Sequence, residues 1–177
     1  MVYSLYDASI EQAKNILDAF LSILAKVEAS PAAATIATAK IHESMLPFIF
    51  QVHFASVLLH KLSARLQGQP PRDLEYKNLD TVEQMRARLV EVKADVDAVT
   101  REAVNGRETE IVPLGLGPNI PEVKIEGWQY AHGYAIPNLF FHLTTAYDIA
   151  RKEGVEIGKK DFITSFIGKY VADQVKQ

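Results

Sequence analysis

Apolar residues recur at alternating spacings of three and four along most of this chain, which predicts helices joined by Pro- and Gly-rich connections. Over residues 9–29 the stripe is Ile10, Ala13, Leu17, Phe20, Leu24 and Val27, with Glu11, Lys14, Asn15, Asp18, Ser22 and Lys26 between them facing water. Ser9 and Gln12 match a capping box, in which each side chain satisfies an orphan N–H at the helix start. Ser30-Pro31 closes that helix, and the alanine-rich residues 31–43 predict a short helix or turn packed as a crossover. A second long helix runs from Ser44 to Gln67, with Pro47 in its first turn, where a missing N–H costs little. Gly68 takes the C′ position. Phe48, Gln51, Ala55, Leu58 and Leu62 share one face, and Gln51 is the polar exception in that row. Residues 69–76, with Pro70-Pro71, form an extended connection.

A third helix over about 81–100 has the cleanest stripe, Val82, Met85, Leu89, Val92, Val96 and Val99, and starts at an Asp80/Glu83 capping box. Its opposite face is charged and solvated. A turn ends at Asn105-Gly106. Between residues 107 and 126 the pattern changes: Glu110-Ile111-Val112 and Glu122-Val123-Lys124-Ile125 are short β-like runs separated by Pro113, Gly115, Gly117, Pro118 and Pro121. They predict a small hairpin or flap over one end of the helices. The last long helix spans roughly 127–152. Pro137 lies inside it, cannot donate to the Gly133 carbonyl, and predicts a kink. Arg151 and Lys152 favour the helix dipole at its end, Asp148 pairs with Lys152, and Gly154 takes the C′ position. Phe162, Phe166 and Tyr170 mark a short terminal helix docked on the bundle or on a partner subunit. The fold class is all-α, one helical bundle over residues 1–177.

Composition narrows the function classes. The 177 residues are 48% hydrophobic, enough for one sizeable core, and 19 basic residues against 22 acidic ones give a formal charge of −3. There is no basic stripe for nucleic acid, and no apolar run of about 18 residues for a membrane span. The chain has no cysteine, which removes disulfides, thiolate metal sites and a cysteine nucleophile. The N-terminal residues carry no basic-then-apolar signal pattern, so a cytoplasmic protein is expected.

Five histidines are the candidate metal ligands: His42, His53, His60, His132 and His142. None forms an i, i+3 or i, i+4 pair. His53 and His60 share a face but lie two turns apart, roughly 10 Å at 1.5 Å per residue. Chelation would therefore need ligands from another helix, such as His142 with His53. More informative is the polar row Tyr134, Asn138, His142 and Thr145 on one face of an otherwise apolar helix. A buried Asn or His without a partner costs about 1–3 kcal/mol, and Gln51 on the second helix is the natural partner. The row is either a closed hydrogen-bond network that fixes helix register or the wall of a pocket in which His142 moves protons. No Gly-x-Ser-x-Gly elbow, phosphate loop or paired carboxylate set accompanies it.

The segments YDAS, MLPFIFQV, IPNLFFHLTTAYDIAR and GVEIGKKDF resemble an uncharacterised bacterial and fungal domain-of-unknown-function family within the DinB/YfiT-like superfamily. The resemblance runs from Tyr6 to Phe162 and is most specific at Pro137-Asn138, Phe141-His142, Thr145-Ala146-Tyr147 and Gly158-Lys159. It implies a four-helix bundle with one long crossover, often a homodimer. In characterised members it implies a divalent metal held by three histidines, with thiol-dependent transferase or hydrolase activity. This chain departs from that pattern: Asn138 and Ala146 stand where further histidine ligands belong, and His142 alone matches.

The leading expectation is a small-molecule-binding bundle with metal-independent acid/base chemistry at His142. Asn138 and Gln51 would orient the ligand, Tyr134 or Trp128 would form an apolar wall, and Thr145 would complete the row. The pocket would lie between the second and last long helices under the 107–126 flap. No cofactor is predicted. The alternatives are a zinc or nickel enzyme using His142 and His53, and a non-catalytic dimeric scaffold.

Overall fold

A computed structural model describes residues 3–175. Four long helices make the bundle: α1 (Leu5–Glu28), α2 (Phe48–Leu66), α3 (Val82–Asp97) and a helix built from α5 (Gly127–Tyr130), a wide turn (Ala131–Ala135) and α6 (Ile136–Lys152). Helix α1 packs on α3 and α6, and α2 packs on the same two, so α1 and α2 face each other across the core. The crossover from α1 to α2 contains two single 3₁₀ turns, Pro31–Ala34 and Ile36–Thr38. A one-turn helix α4 (Arg101–Val104) leads into the hairpin β1 (Ile111–Leu114) and β2 (Val123–Glu126), antiparallel with Ile111 opposite Glu126 and Leu114 opposite Val123. Helix α7 (Lys159–Val175) lies along α1 and is as long as α6, so the terminal helix is not short. Among the described residues no helix is long and apolar enough to cross a membrane.

The apolar stripes are the core. Every member of the predicted rows on α1, α2 and α3 is buried, Gln51 included. Three helix starts differ from expectation. Helix α2 begins at Phe48 rather than Ser44, and Pro47 is its extended N-cap residue and not part of its first turn. Helix α1 begins at a Ser4/Asp7 capping box, not Ser9/Gln12: Ser9 is buried inside the helix, and its hydroxyl donates to Leu5 O at 2.6 Å. Helix α3 begins at Thr81/Gln84, one residue beyond Asp80/Glu83. The α1 and α3 starts both contain overlapping sets of cap-forming residues, and burial of the apolar stripe decides between them. On α1, Asn15 is buried rather than facing water, and Glu11 accepts from Lys169 Nζ at 2.9 Å, because α7 covers that side. Lys152 donates to Lys40 O on the crossover at 2.7 Å, which occupies the cation expected to pair with Asp148.

The start of α5 is seated on the chain that leads into the hairpin. The first helical N–H groups have no partner within their own helix. Here the Gly127 N–H donates to Glu110 O at 2.9 Å and the Trp128 N–H to Glu108 O at 3.0 Å. A Cβ at position 127 would stand 2.9 Å from the Arg107 carbonyl oxygen, a backbone atom that cannot swing aside. Gly127→Ala is therefore expected to cost about 1–3 kcal/mol by overpacking. At Gly133 a Cβ meets nothing, so Gly133→Ala should cost less than Gly127→Ala. Urea midpoints of the two variants check the contrast.

Candidate functional site

Helix α2 and the 127–152 helix run antiparallel, and two polar cross-links mark the ends of their seam. At one end Arg65 Nη1 donates to the Tyr130 hydroxyl at 3.3 Å. At the other, His142 Nδ1 lies 2.7 Å from Gln51 Oε1. Between them the second helix widens: the Ile136 N–H donates to Ala131 O, five residues back, across the π turn Ala131–Ala135. Pro137 has no N–H to give the Gly133 carbonyl, and the wide turn is the form the expected distortion takes.

The partners of Gln51 fix the hydrogen positions at His142. Gln51 Nε2 donates to Leu46 O at 2.9 Å and more weakly to Pro47 O at 3.4 Å. Its Oε1 is therefore the atom turned towards His142, and His142 Nδ1–H is the donor. Nε2 then carries the lone pair of a neutral imidazole and has no hydrogen bond among the described residues. His142 is only 6% exposed, and burial lowers its pKa to about 4, so the ring is uncharged at neutral pH. The rings of Phe54, Phe141 and Phe50 surround it, with centroids 4.8, 5.3 and 6.3 Å away.

A cavity of about 580 Å³ opens at the other end of the seam. Its floor is α2, with Phe54, Val57, Leu58, Lys61 and Arg65. Its roof is the hairpin, with Leu114, Gly115, Leu116, Gly117 and Glu122, and Tyr134 of the π turn closes the side. The cavity thus lies between the second and last long helices under the 107–126 segment. Of the expected site residues it brings in Tyr134. Asn138 is half-buried, Gln51 and His142 are buried where they meet between α2 and α6, Thr145 is buried on α6, and none of these four lines the cavity. Trp128 is 45% exposed and borders a separate surface groove with Tyr3 and His132. Phe54 links the two regions, since it lines the cavity and packs on the His142 ring.

Lys61 and Arg65 escaped the sequence reading, being charged residues on the flank of an apolar helix. Their spacing of four on one face, opposite a Gly-rich hairpin, was the available signal. Arg65 is held in advance: its guanidinium sits 5.2 Å from the centroid of the fully buried Tyr130 ring, and its Nε is enclosed without a partner.

A profile for a domain of unknown function, DUF1993, matches residues 5–163. The chain belongs to the DUF1993 family. Its fold is also similar to the crystal structure, at 1.83 Å, of a DinB family member protein from Shewanella denitrificans. The TM-score is 0.78 at 27% identity, over 89% of this chain and 90% of that one. No curated protein matches this chain.

The DinB likeness raises a metal centre, and the placement of the histidines in this DUF1993 chain bears on it directly. His142 offers only Nε2, because Nδ1 is committed to Gln51. His53 Nδ1 is enclosed without a partner, its ring lying 4.7 Å from that of Tyr76, so one further nitrogen is on hand. His60 has both nitrogens engaged: Nε2 accepts the Arg72 N–H at 2.9 Å, which leaves Nδ1–H to donate to Asp95 at 2.9 Å. It is a satisfied core histidine that ties the Pro70-Pro71 connection to α2 and α3. His42 and His132 are exposed. Among the described residues no three His, Asp or Glu side chains converge on one point. The residues present do not fit a three-histidine centre, and no step is assigned to a metal.

Proposed function

We propose that this DUF1993 chain binds a small molecule in the cavity between α2 and Tyr134, beneath the hairpin. The observation that carries the reading is the cavity itself. Its volume of about 580 Å³ lies in the range of small-molecule sites, roughly 300–1,000 Å³, and its lining sets apolar side chains such as Phe54, Val57 and Leu58 beside the charged Lys61, Arg65 and Glu122. The π turn supports it, since such turns recur at functional sites and this one carries Tyr134. In this reading Gln51 and His142 hold α2 and α6 in register.

A second reading, metal-independent proton transfer by His142, draws on the unpartnered Nε2. A group with a pKa of about 4 would accept a proton or hydrogen bond there and would not act as an acid at neutral pH. Phe54 would have to move for a ligand in the cavity to reach it.

Val57→Trp fills the cavity from its floor. In a fluorescence titration, phenylnaphthylamine, an uncharged apolar probe, is expected to bind the wild-type chain at one site. It should lose at least about tenfold in affinity in Val57→Trp. Equal binding to both proteins would rule the cavity out as the site.

A further inference from the structure

We propose that the ligand of this cavity is an organic anion, an acidic group on an apolar body, gripped by Arg65 and Lys61. The proposal rests on the cavity reading above and adds the ligand's charge. Lys61 and Arg65 stand one turn apart on α2 and line the same wall. Neither makes an ion pair among the described residues, and Lys61 makes no hydrogen bond there. The facing wall supplies one carboxylate, Glu122, which also has no ion-pair partner among the described residues. The lining therefore carries a surplus of positive charge inside a concave, partly apolar space, where a field is focused rather than screened.

Arg65 is also positioned before any ligand arrives. Tyr130 is wholly buried, so its ring and hydroxyl are fixed, and the guanidinium lies over that ring with Nη1 donating to the hydroxyl at 3.3 Å. The Nη2 amino group is left without a partner among the described residues. A planar donor held this way loses little freedom on meeting an acidic group. Opposite it, Gly115 and Gly117 place no side chains against an entering headgroup. Phe54, Val57, Leu58 and Leu116 provide the surface for the apolar body.

Two probes with the same aromatic body separate charge from shape: anilinonaphthalenesulfonate, which is anionic, and phenylnaphthylamine, which is neutral. With the full chain, the anionic probe is expected to bind at least about tenfold tighter than the neutral one, the scale of a charge-assisted hydrogen bond. Lys61→Met and Arg65→Met should each remove most of that advantage while leaving the neutral probe unchanged. Lys124→Met, the same charge change on β2 outside the cavity, should alter neither. Lys61 has no structural partner, so Lys61→Met keeps the test valid even where Arg65→Met fails to fold. Equal affinity of the two probes, or full retention of the anionic probe by Lys61→Met, overturns the anion proposal and leaves the cavity standing. Binding of both probes undisturbed by Val57→Trp, or no binding by either, overturns the cavity reading itself.

Discussion

Replacing Tyr130 by alanine is expected to destabilise the protein by about 3–5 kcal/mol, the scale for deleting a fully buried large aromatic side chain. Tyr130 has no exposed surface, stacks on Tyr134 at 6.0 Å and accepts from Arg65. Its loss leaves a void between α2 and α5 and frees the guanidinium that Tyr130 aligns. Tyr130→Phe keeps the ring and removes only the acceptor for Arg65, so its cost should be about 1 kcal/mol. Urea denaturation of both variants, with unchanged m-values, measures the difference. If the two cost the same, the seam is held by the hydroxyl and not by the ring. The cavity would feel both changes, because the residue that supports Arg65 is also a core residue.

Acid should weaken the fold through His142. Its ordinary value is 6.5, and burial holds it near 4 in the folded chain. Between those values the unfolded chain binds a proton that the folded chain refuses. The contribution is thus intact above pH 6.5, declines as pH falls to about 4, and levels off below. The loss amounts to at most about 3 kcal/mol. His53 is shifted the same way, first by burial and then by Arg88, and adds to the slope. His142→Phe should cost about 1–3 kcal/mol at neutral pH, since Gln51 Oε1 is left unpaired in the core. That variant should then lose distinctly less than wild type on acidification. Stability measured at several pH values tests this, and parallel curves for the two proteins would sink the assignment.

The helices were legible because burial imposes a period: Val82 to Val99, and Phe48 to Leu62, could not face water without exposing a continuous stripe. The same logic exposed Gln51 and His142, polar residues out of place on two apolar rows, which do meet across the seam. The precise helix starts were not legible, since a Ser at position 9 caps as well in principle as one at position 4, and only packing distinguishes them. The cavity was readable in location but not in its walls. Lys61 and Arg65 look like ordinary solvated flanks of α2 until the hairpin folds over them. Sequence alone does not say which side of a helix a hairpin dozens of residues later will cover.

The π turn at Ala131–Ala135 also sets the angular phase of the two ends of its helix. Each residue of a regular α-helix advances the side chains by about 100°, and a π turn absorbs about one residue more than an α turn does. Upstream of it Tyr130 points to Arg65, and downstream His142 points to Gln51. A regular helix of the same sequence would meet α2 correctly at one of these ends and be turned aside by about a quarter revolution at the other. The turn therefore lets one straight partner, α2, engage two faces that an unbroken helix would present in different directions.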